Sequence, residues 1–119
     1  MNLQKLSNSN IYIETNTEKH LQNNKKLEEF KSTISRDIDR TFHFGRFLTD
    51  EGKRNLYDIL CNLAKNNIDI GYCQGMNFVA ASLLEFSNSV SLSTDLFQYM
   101  LDYMDVYYLY IEVYKQIIL

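Results

Sequence analysis

Gln74 is the side chain that the sequence places best for contact with a ligand. It lies in the run Gly71-Tyr72-Cys73-Gln74-Gly75-Met76-Asn77, and a mostly apolar segment follows at once. Glycine lets the backbone take a positive φ or approach a partner closely. The apolar segment is typical of a helix that is buried on most of its sides. The pattern therefore predicts an amide presented from the start of a core helix. A glutamine that only caps backbone groups is the alternative.

Arg40 is the second candidate, on a stretch with helical periodicity. Ile34, Ile38 and Thr41 share one face of that helix, which we expect to point toward the core. Asp37 and Arg40 are three residues apart and so are neighbours on the helix surface, where a carboxylate can orient a guanidinium. An ordinary exposed ion pair is the alternative, and such pairs contribute only about 0–1 kcal/mol.

The predicted helices must position the Arg40 guanidinium and the Gln74 amide. Apolar residues recur at helical spacing over Lys25–Arg40, which predicts one helix, with Ser32-Thr33 as the place where it could break. Thr49 or Asp50 can cap the next helix, and we expect that helix to end at Asn66-Asn67. The predicted apolar stripe of this second helix consists of Leu56, Ile59, Leu60, Leu63 and Ala64.

The remaining segments fit the same fold class. Thr41–Phe47 is predicted to be a loop with three buried aromatic side chains, and residues 86–91 form a polar break after the core helix. Ser93 or Thr94 is expected to start a further helix, and Val106–Leu119 to be its continuation or one more. The stripe predicted for that further helix consists of Leu96, Phe97, Met100, Leu101 and Met104. The chain has no alternating strand pattern and no proline, so the predicted fold is all-α.

Composition excludes several classes of function. The net charge of −3 offers no basic footprint for nucleic acid. The two cysteines and two histidines are scattered, so no zinc site is expected. The N-terminus lacks the apolar region of a secretory signal, and four charged residues interrupt the apolar stretch Leu96–Leu119, which argues against a membrane span. We therefore expect a cytoplasmic protein with reduced thiols.

The two ends of the chain differ in character. Residues 1–24 are polar and carry six asparagines, which predicts a poorly ordered leader before a domain over residues 25–119. The other end, Ile117-Ile118-Leu119, is apolar, where chain ends are usually polar. This end is interpreted as a helix cut before its packing partner.

Taken together, the two motifs point to a known family. The pattern Ile-x-x-Asp-x-x-Arg-Thr, then a helix, then Gly-Tyr-Cys-Gln-Gly-Met-Asn resembles the TBC domain of Rab GTPase-activating proteins. The resemblance implies that Arg40 is an arginine finger and Gln74 a glutamine finger, both inserted into the nucleotide site of the GTPase. It also implies that Asp37 is a supporting residue that positions the arginine. The other matching positions are Tyr72, Gly75, Met76 and Asn77.

The resemblance covers about Phe30 to Met104 and implies the finger-bearing front half of an all-α domain. It implies a Rab GTPase partner, a role in vesicle trafficking, and recruitment to endomembranes only through that partner. The chain would need no cofactor of its own, since GTP and Mg are bound by the GTPase. The chain departs from the family pattern in having no tryptophan and in having His43 where a proline is usual.

Two other functional readings stay open. A degenerate TBC domain could bind a GTPase without activating it, and a purely structural helical domain could use both motifs for packing. Cys73 is interpreted as a small buried residue rather than a nucleophile, because no basic residue is near it in sequence. His43 is interpreted as structural or solvated, and the tyrosines of Tyr99–Tyr114 as packing residues. The resemblance implies that the family's domain has a second helical half, which would lie beyond Leu119. If that half is absent, we expect the isolated chain to fold weakly or to self-associate, and to activate GTPases poorly.

Overall fold

Four α-helices make up the part of the chain that the structure describes. The structure is a computed structural model. It describes residues 3–41, 49–103 and 112, with side chains from residue 17 onward. The helices are α1 (Leu3–Ile38), α2 (Asp50–Asn66), α3 (Met76–Ser87) and α4 (Val90–Tyr103). The predicted all-α fold is confirmed, and the described ranges contain no strand.

Helix α1 is longer than predicted. Its backbone is helical from Leu3, whereas the sequence predicted a helix from Lys25 after a poorly ordered leader. No glycine or proline interrupts this stretch, and asparagine lowers helix propensity only modestly. Separation of residues 1–24 from a domain over 25–119 stays a prediction. The break foreseen at Ser32-Thr33 is absent, and within the continuous helix the Thr33 hydroxyl donates to the Glu29 carbonyl oxygen at 3.2 Å.

Helix α2 lies at the centre and packs against α1, α3 and α4. Its start is confirmed at the predicted cap, because the Gly52 amide donates to the Thr49 hydroxyl oxygen at 3.0 Å. It ends at Asn66. The backbone amide of the next residue, Asn67, donates to the Leu63 carbonyl at 2.9 Å. Every residue of the predicted stripe is fully buried, so this stripe forms the middle of the core.

Helices α3 and α4 differ from their predictions in two respects. Helix α3 is not buried on most sides, because Phe78 and Phe86 are 45% and 89% exposed. Helix α4 begins at Val90 rather than at Ser93 or Thr94. The Ser89 hydroxyl oxygen accepts from the Leu92 amide at 3.1 Å and so satisfies one of the free donors of the first turn.

The predicted stripe of α4 is only partly buried. Phe97 and Leu101 lie in the core, whereas Leu96 and Met100 are more exposed and Met104 lies outside the described residues. A pair of side-chain amides fixes α4 against the end of α2: Asn67 Nδ2 donates to Gln98 Oε1 at 2.6 Å, and Gln98 Nε2 donates to Asn67 Oδ1 at 3.0 Å.

Some predictions fall outside the described ranges. These are the aromatic loop over residues 42–47 with His43, and the helix over residues 106–119 apart from Glu112. Within the described ranges, none of the helices has the length and hydropathy needed to cross a membrane.

Candidate functional site

A tight loop joins α2 to α3 and holds the second motif. Gly71 has a φ of +62°, in the left-handed region that favours glycine. The Phe30 ring of α1 occupies the space where a Cβ at this position would lie. Glycine is therefore required both for the turn and for the close approach of α1. As a result, α1, the helix that carries Asp37, lies against Gly71, the first residue of the Gly71–Asn77 motif.

A hydrogen bond between the motifs connects Tyr72 to Asp37. The Tyr72 hydroxyl donates to Asp37 Oδ2 at 2.6 Å, and the tyrosine is only 4% exposed. Burial, and then the neighbouring Asp37 carboxylate, raise the pKa of the Tyr72 hydroxyl far above its ordinary value. The hydroxyl therefore stays protonated and remains a donor. The contact joins two segments that are distant in sequence.

Asp37 does not orient Arg40 by an ion pair. Within the described part of the chain, the Asp37 carboxylate accepts from Tyr72, and no ion pair joins it to Arg40. Arg40 also lies beyond the last residue of α1, in a turn where its amide donates to the Asp37 carbonyl at 3.0 Å. The i, i+3 geometry of a continuous helix, on which the expected pairing depended, is thus absent at this point.

A second set of contacts between the motifs involves Thr41 and Asn77. Asn77 Nδ2 donates to the Thr41 hydroxyl oxygen at 2.8 Å, and the same hydroxyl donates to the Asp37 carbonyl at 2.7 Å. Asn77 Oδ1 accepts from the Gly75 amide at 3.2 Å. Thr41 and Asn77 are 2% and 3% exposed, so both polar side chains are buried and both are hydrogen-bonded.

The loop itself is closed by local contacts. Gly75 is the residue before α3 and has a φ of +105°, and no neighbour lies within 4 Å of where its Cβ would be. The Met76 amide donates to the Cys73 carbonyl at 3.0 Å, and the Cys73 amide donates to Met76 Sδ at 3.2 Å. Cys73 is buried, and burial raises the pKa of its thiol, which agrees with its interpretation as a small buried residue.

Arg40 and Gln74 are both exposed, in contrast to their buried neighbours. Arg40 directly precedes Thr41, and Gln74 lies between Tyr72 and Asn77. The structure therefore joins the two segments that bear the predicted fingers. A guanidinium offers a fixed charge and a planar set of donors, and an amide both donates and accepts. The described residues contain no group of acids, cysteines or histidines that could hold a metal ion.

The buried hydrogen bonds of Thr41 are not apparent from the sequence. Its spacing with Ile34 and Ile38 correctly predicts the buried position of Thr41. The polar side chain at that position is the feature of the sequence that indicates a hydrogen-bond partner. A buried hydroxyl needs a hydrogen-bond partner, and that partner had to come from elsewhere in the fold. Asn77 matches the family pattern, but nothing in its sequence neighbourhood indicates Thr41 as its partner.

Comparison with known proteins defines the class. The model of the Rab-GTPase-TBC domain family matches residues 2–117, and the chain belongs to this family of GTPase-activating proteins. It is 37% identical over 82 residues to growth hormone-regulated TBC protein 6 of Caenorhabditis elegans, a match that covers 68% of this chain and 25% of that protein.

Vertebrate relatives give a similar match. Over 72 residues the chain is 38% identical to human growth hormone-regulated TBC protein 1. This match covers 57% of this chain and 20% of the human protein. It is 36% identical over 72 residues to growth hormone-regulated TBC protein 1-A of Danio rerio, with 57% of this chain and 19% of that protein covered. The chain thus spans about a quarter or less of the length of these relatives. No solved structure matches the chain.

Proposed function

We propose that this chain accelerates GTP hydrolysis by a Rab-family small GTPase, with Arg40 and Gln74 supplied in trans as catalytic fingers. The observation that carries the proposal is the 2.6 Å hydrogen bond from Tyr72 to Asp37. It joins the loop that bears Gln74 to the end of α1, immediately before the turn that bears Arg40. Two catalytic groups that act on one phosphate need this kind of fixed relation between their supporting segments.

The two side chains supply complementary chemistry. In GTP hydrolysis the transferred phosphoryl group passes through a loose transition state, with negative charge spread over its oxygens. The Arg40 guanidinium is always charged and offers parallel donors to those oxygens. The Gln74 amide orients the attacking water, because its oxygen can accept a hydrogen bond from that water while its NH₂ group donates one to a phosphate oxygen. GTP and Mg belong to the GTPase, so the chain needs no cofactor of its own.

Exposure supports this assignment for both residues. A finger must leave its own protein and enter the site of its partner, so its side chain cannot be part of the core. Arg40 and Gln74 are exposed, whereas Thr41, Tyr72 and Asn77 around them are buried. The buried neighbours fix the backbone, which reduces the entropy lost when the fingers bind. Endomembrane recruitment, in this account, follows from binding the membrane-attached Rab.

The proposal is tested by GTP hydrolysis and by binding, both measured with a panel of Rab proteins and the protein at its full natural length. Arg40→Ala, Arg40→Lys and Gln74→Ala should each lower the stimulated rate about a hundred-fold or more, because each removes an interaction made in the transition state. Binding to the GTP-loaded Rab should change much less. Lysine keeps the charge but loses the planar set of donors, so it should not rescue the rate.

Two matched controls lie on the exposed part of α1. Arg36→Ala removes an exposed arginine one turn before Arg40, and Gln22→Ala removes an exposed glutamine far from the loop. Both variants should keep the rate of the unchanged protein. Binding of a Rab without any acceleration would replace the proposal with the binding-module alternative. Absence of binding to every Rab would favour a purely structural role.

A further inference from the structure

We infer that Thr41 and Asn77 are positioning residues, which set the location of Gln74 relative to Arg40 through a buried relay of hydrogen bonds. The inference rests on the proposed function for its catalytic consequence. It assigns a role to Thr41, whose sequence position indicated only core packing. The relay runs from the Gly75 amide through the side chains of Asn77 and Thr41 to the Asp37 carbonyl.

The direction of every bond in the relay is fixed by its members. The Gly75 amide can only donate, so the Asn77 oxygen must face it and the Asn77 NH₂ group must face Thr41. The Asp37 carbonyl can only accept, so the Thr41 hydroxyl proton points to it. The hydroxyl therefore accepts once and donates once. Reversing the Asn77 amide would bring two donors together at Gly75, so the relay has one arrangement.

Burial makes this arrangement costly to disturb. Thr41 and Asn77 are 2% and 3% exposed, so water cannot replace a lost partner without a change of packing. A buried polar group that loses its partner costs more than the hydrogen bond itself contributed. The relay therefore resists displacement of the loop relative to the end of α1.

The two ends of the relay lie next to the proposed fingers. Gly75 directly follows Gln74, and Asp37 and Thr41 lie on either side of Arg40 in sequence. The Tyr72 hydroxyl provides a separate attachment to Asp37 on the other side of Gln74. One attachment would let the loop pivot, whereas two attachments on either side of Gln74 fix its orientation as well as its position.

The test compares three variants in the full-length protein. Thr41→Val keeps the shape but removes the hydroxyl, Asn77→Leu removes the amide, and the double variant removes both partners. We expect each to lower the maximal stimulated rate about ten- to a hundred-fold, a size typical of small misplacements, with little change in the Rab concentration at half-maximal rate. Thr41→Ser keeps the hydroxyl and should keep most of the rate.

Thermal unfolding separates positioning from general damage. The single variants leave a buried group unpaired and should unfold at a lower temperature. The double variant removes both sides of the Thr41–Asn77 hydrogen bond but still leaves the Gly75 amide without its acceptor, so its unfolding temperature should fall by less than the sum of the two single decreases. Its stimulated rate should nevertheless stay low. A double variant in which both stability and rate recover would show that the relay serves packing alone, and would overturn the inference.

Hydrogen exchange at the Gly75 amide gives a readout that does not depend on catalysis. Exchange should be faster in Thr41→Val than in the unchanged protein, because Asn77 loses the contact that holds its oxygen on this amide. Unchanged exchange would overturn the relay whatever the rates show. If Arg40→Ala and Gln74→Ala lower the rate but Thr41→Val does not, the inference is wrong and the proposed function stands. If neither finger variant lowers the rate, the proposed function is wrong, and the exchange result still decides whether the relay exists.

Discussion

At the scale of a single residue, the buried Tyr72 hydroxyl makes the free energy of unfolding depend on pH. This hydroxyl donates to the Asp37 carboxylate, and the pKa of that hydroxyl is raised first by burial and then by Asp37. The unfolded chain has no such environment, so its tyrosine keeps the ordinary pKa of 10.0. Below that pH both states hold the proton and the contact contributes in full. Above it, the unfolded state loses the proton while the folded state retains it.

We therefore expect the free energy of unfolding to decrease as pH rises above about 10, with this one group contributing up to about 1.4 kcal/mol per pH unit. In Tyr72→Phe this contribution should disappear, and stability at neutral pH should decrease by about 1–2 kcal/mol because the carboxylate loses its donor. Urea unfolding between about pH 8 and pH 11 measures both effects.

Tyr99→Phe, at an exposed position, is the matched control for the loss of a tyrosine hydroxyl. The pKa of Tyr57 is also raised, chiefly through its contact with the Cys61 thiol, and burial raises the pKa of the Cys61 and Cys73 thiols, so a residual alkaline slope should persist in Tyr72→Phe. An equal slope in Tyr72→Phe and the unchanged chain would contradict the assignment of the alkaline sensitivity to Tyr72.

At the scale of elements, the contact between α1 and the loop after α2 depends on Gly71. A Cβ at this position would overlap the Phe30 ring, and the φ of +62° is strained for other residues. We expect Gly71→Ala to lower the free energy of unfolding by about 2–4 kcal/mol, as the sum of overpacking and backbone strain. Chemical denaturation provides the measurement.

A double-mutant cycle with Phe30 separates the two causes. Phe30→Ala removes the ring, so Gly71→Ala in that background should cost only the backbone strain, about 1 kcal/mol. The two substitutions should therefore cost less together than the sum of their separate effects. Additive costs would show that the ring does not fill this space in solution.

Prediction of the elements succeeded where local signals were sufficient. Both ends of helix α2 and five of its six buried residues are predicted, because Thr49 caps the helix locally and its apolar periodicity is strong. Helix α4 was placed too late, because Ser89 caps it from within a stretch that resembled a polar loop. Helix α1 was placed too late because its asparagines suggested disorder, although no strong helix breaker is present.

The exposed side of α3 could not be predicted for a different reason. Its apolar composition indicated burial, but burial depends on how many neighbours surround a helix. The site shows the same limit. The motifs indicate Arg40 and Gln74 as candidate fingers, whereas the pairing of Thr41 with Asn77 joins residues 36 apart and follows only from the packing of α1 against the loop.

At the scale of the whole molecule, large apolar side chains are exposed on α3 and α4. They are Phe78, Phe86, Leu92, Leu96, Tyr99 and Tyr103. The last four follow one another at intervals of three or four residues, so they lie along one side of α4. A continuous apolar surface of this kind favours association in water.

We expect the 119-residue chain on its own to self-associate as its concentration rises, and to unfold over a broad temperature range. Light scattering over a concentration series measures the association, and calorimetry measures the transition. Phe86→Ser with Leu92→Ser should shift the chain toward monomer, because both side chains are exposed and contribute little to the core. The matched control Ser91→Ala alters a neighbouring exposed position without removing apolar surface. A monomer with a sharp transition would contradict this expectation.

The claim that Gln74 acts in trans, in place of the GTPase's own glutamine, is tested most directly with a Rab that lacks that glutamine. Single-turnover GTP hydrolysis is measured for such a Rab, with alanine at that position, in the presence of the full-length protein. If Gln74 orients the attacking water, the unchanged protein should still accelerate hydrolysis strongly, and Gln74→Ala should abolish the acceleration. If the unchanged protein accelerates the normal Rab but not the substituted one, the Rab glutamine orients the water and the role assigned to Gln74 is wrong.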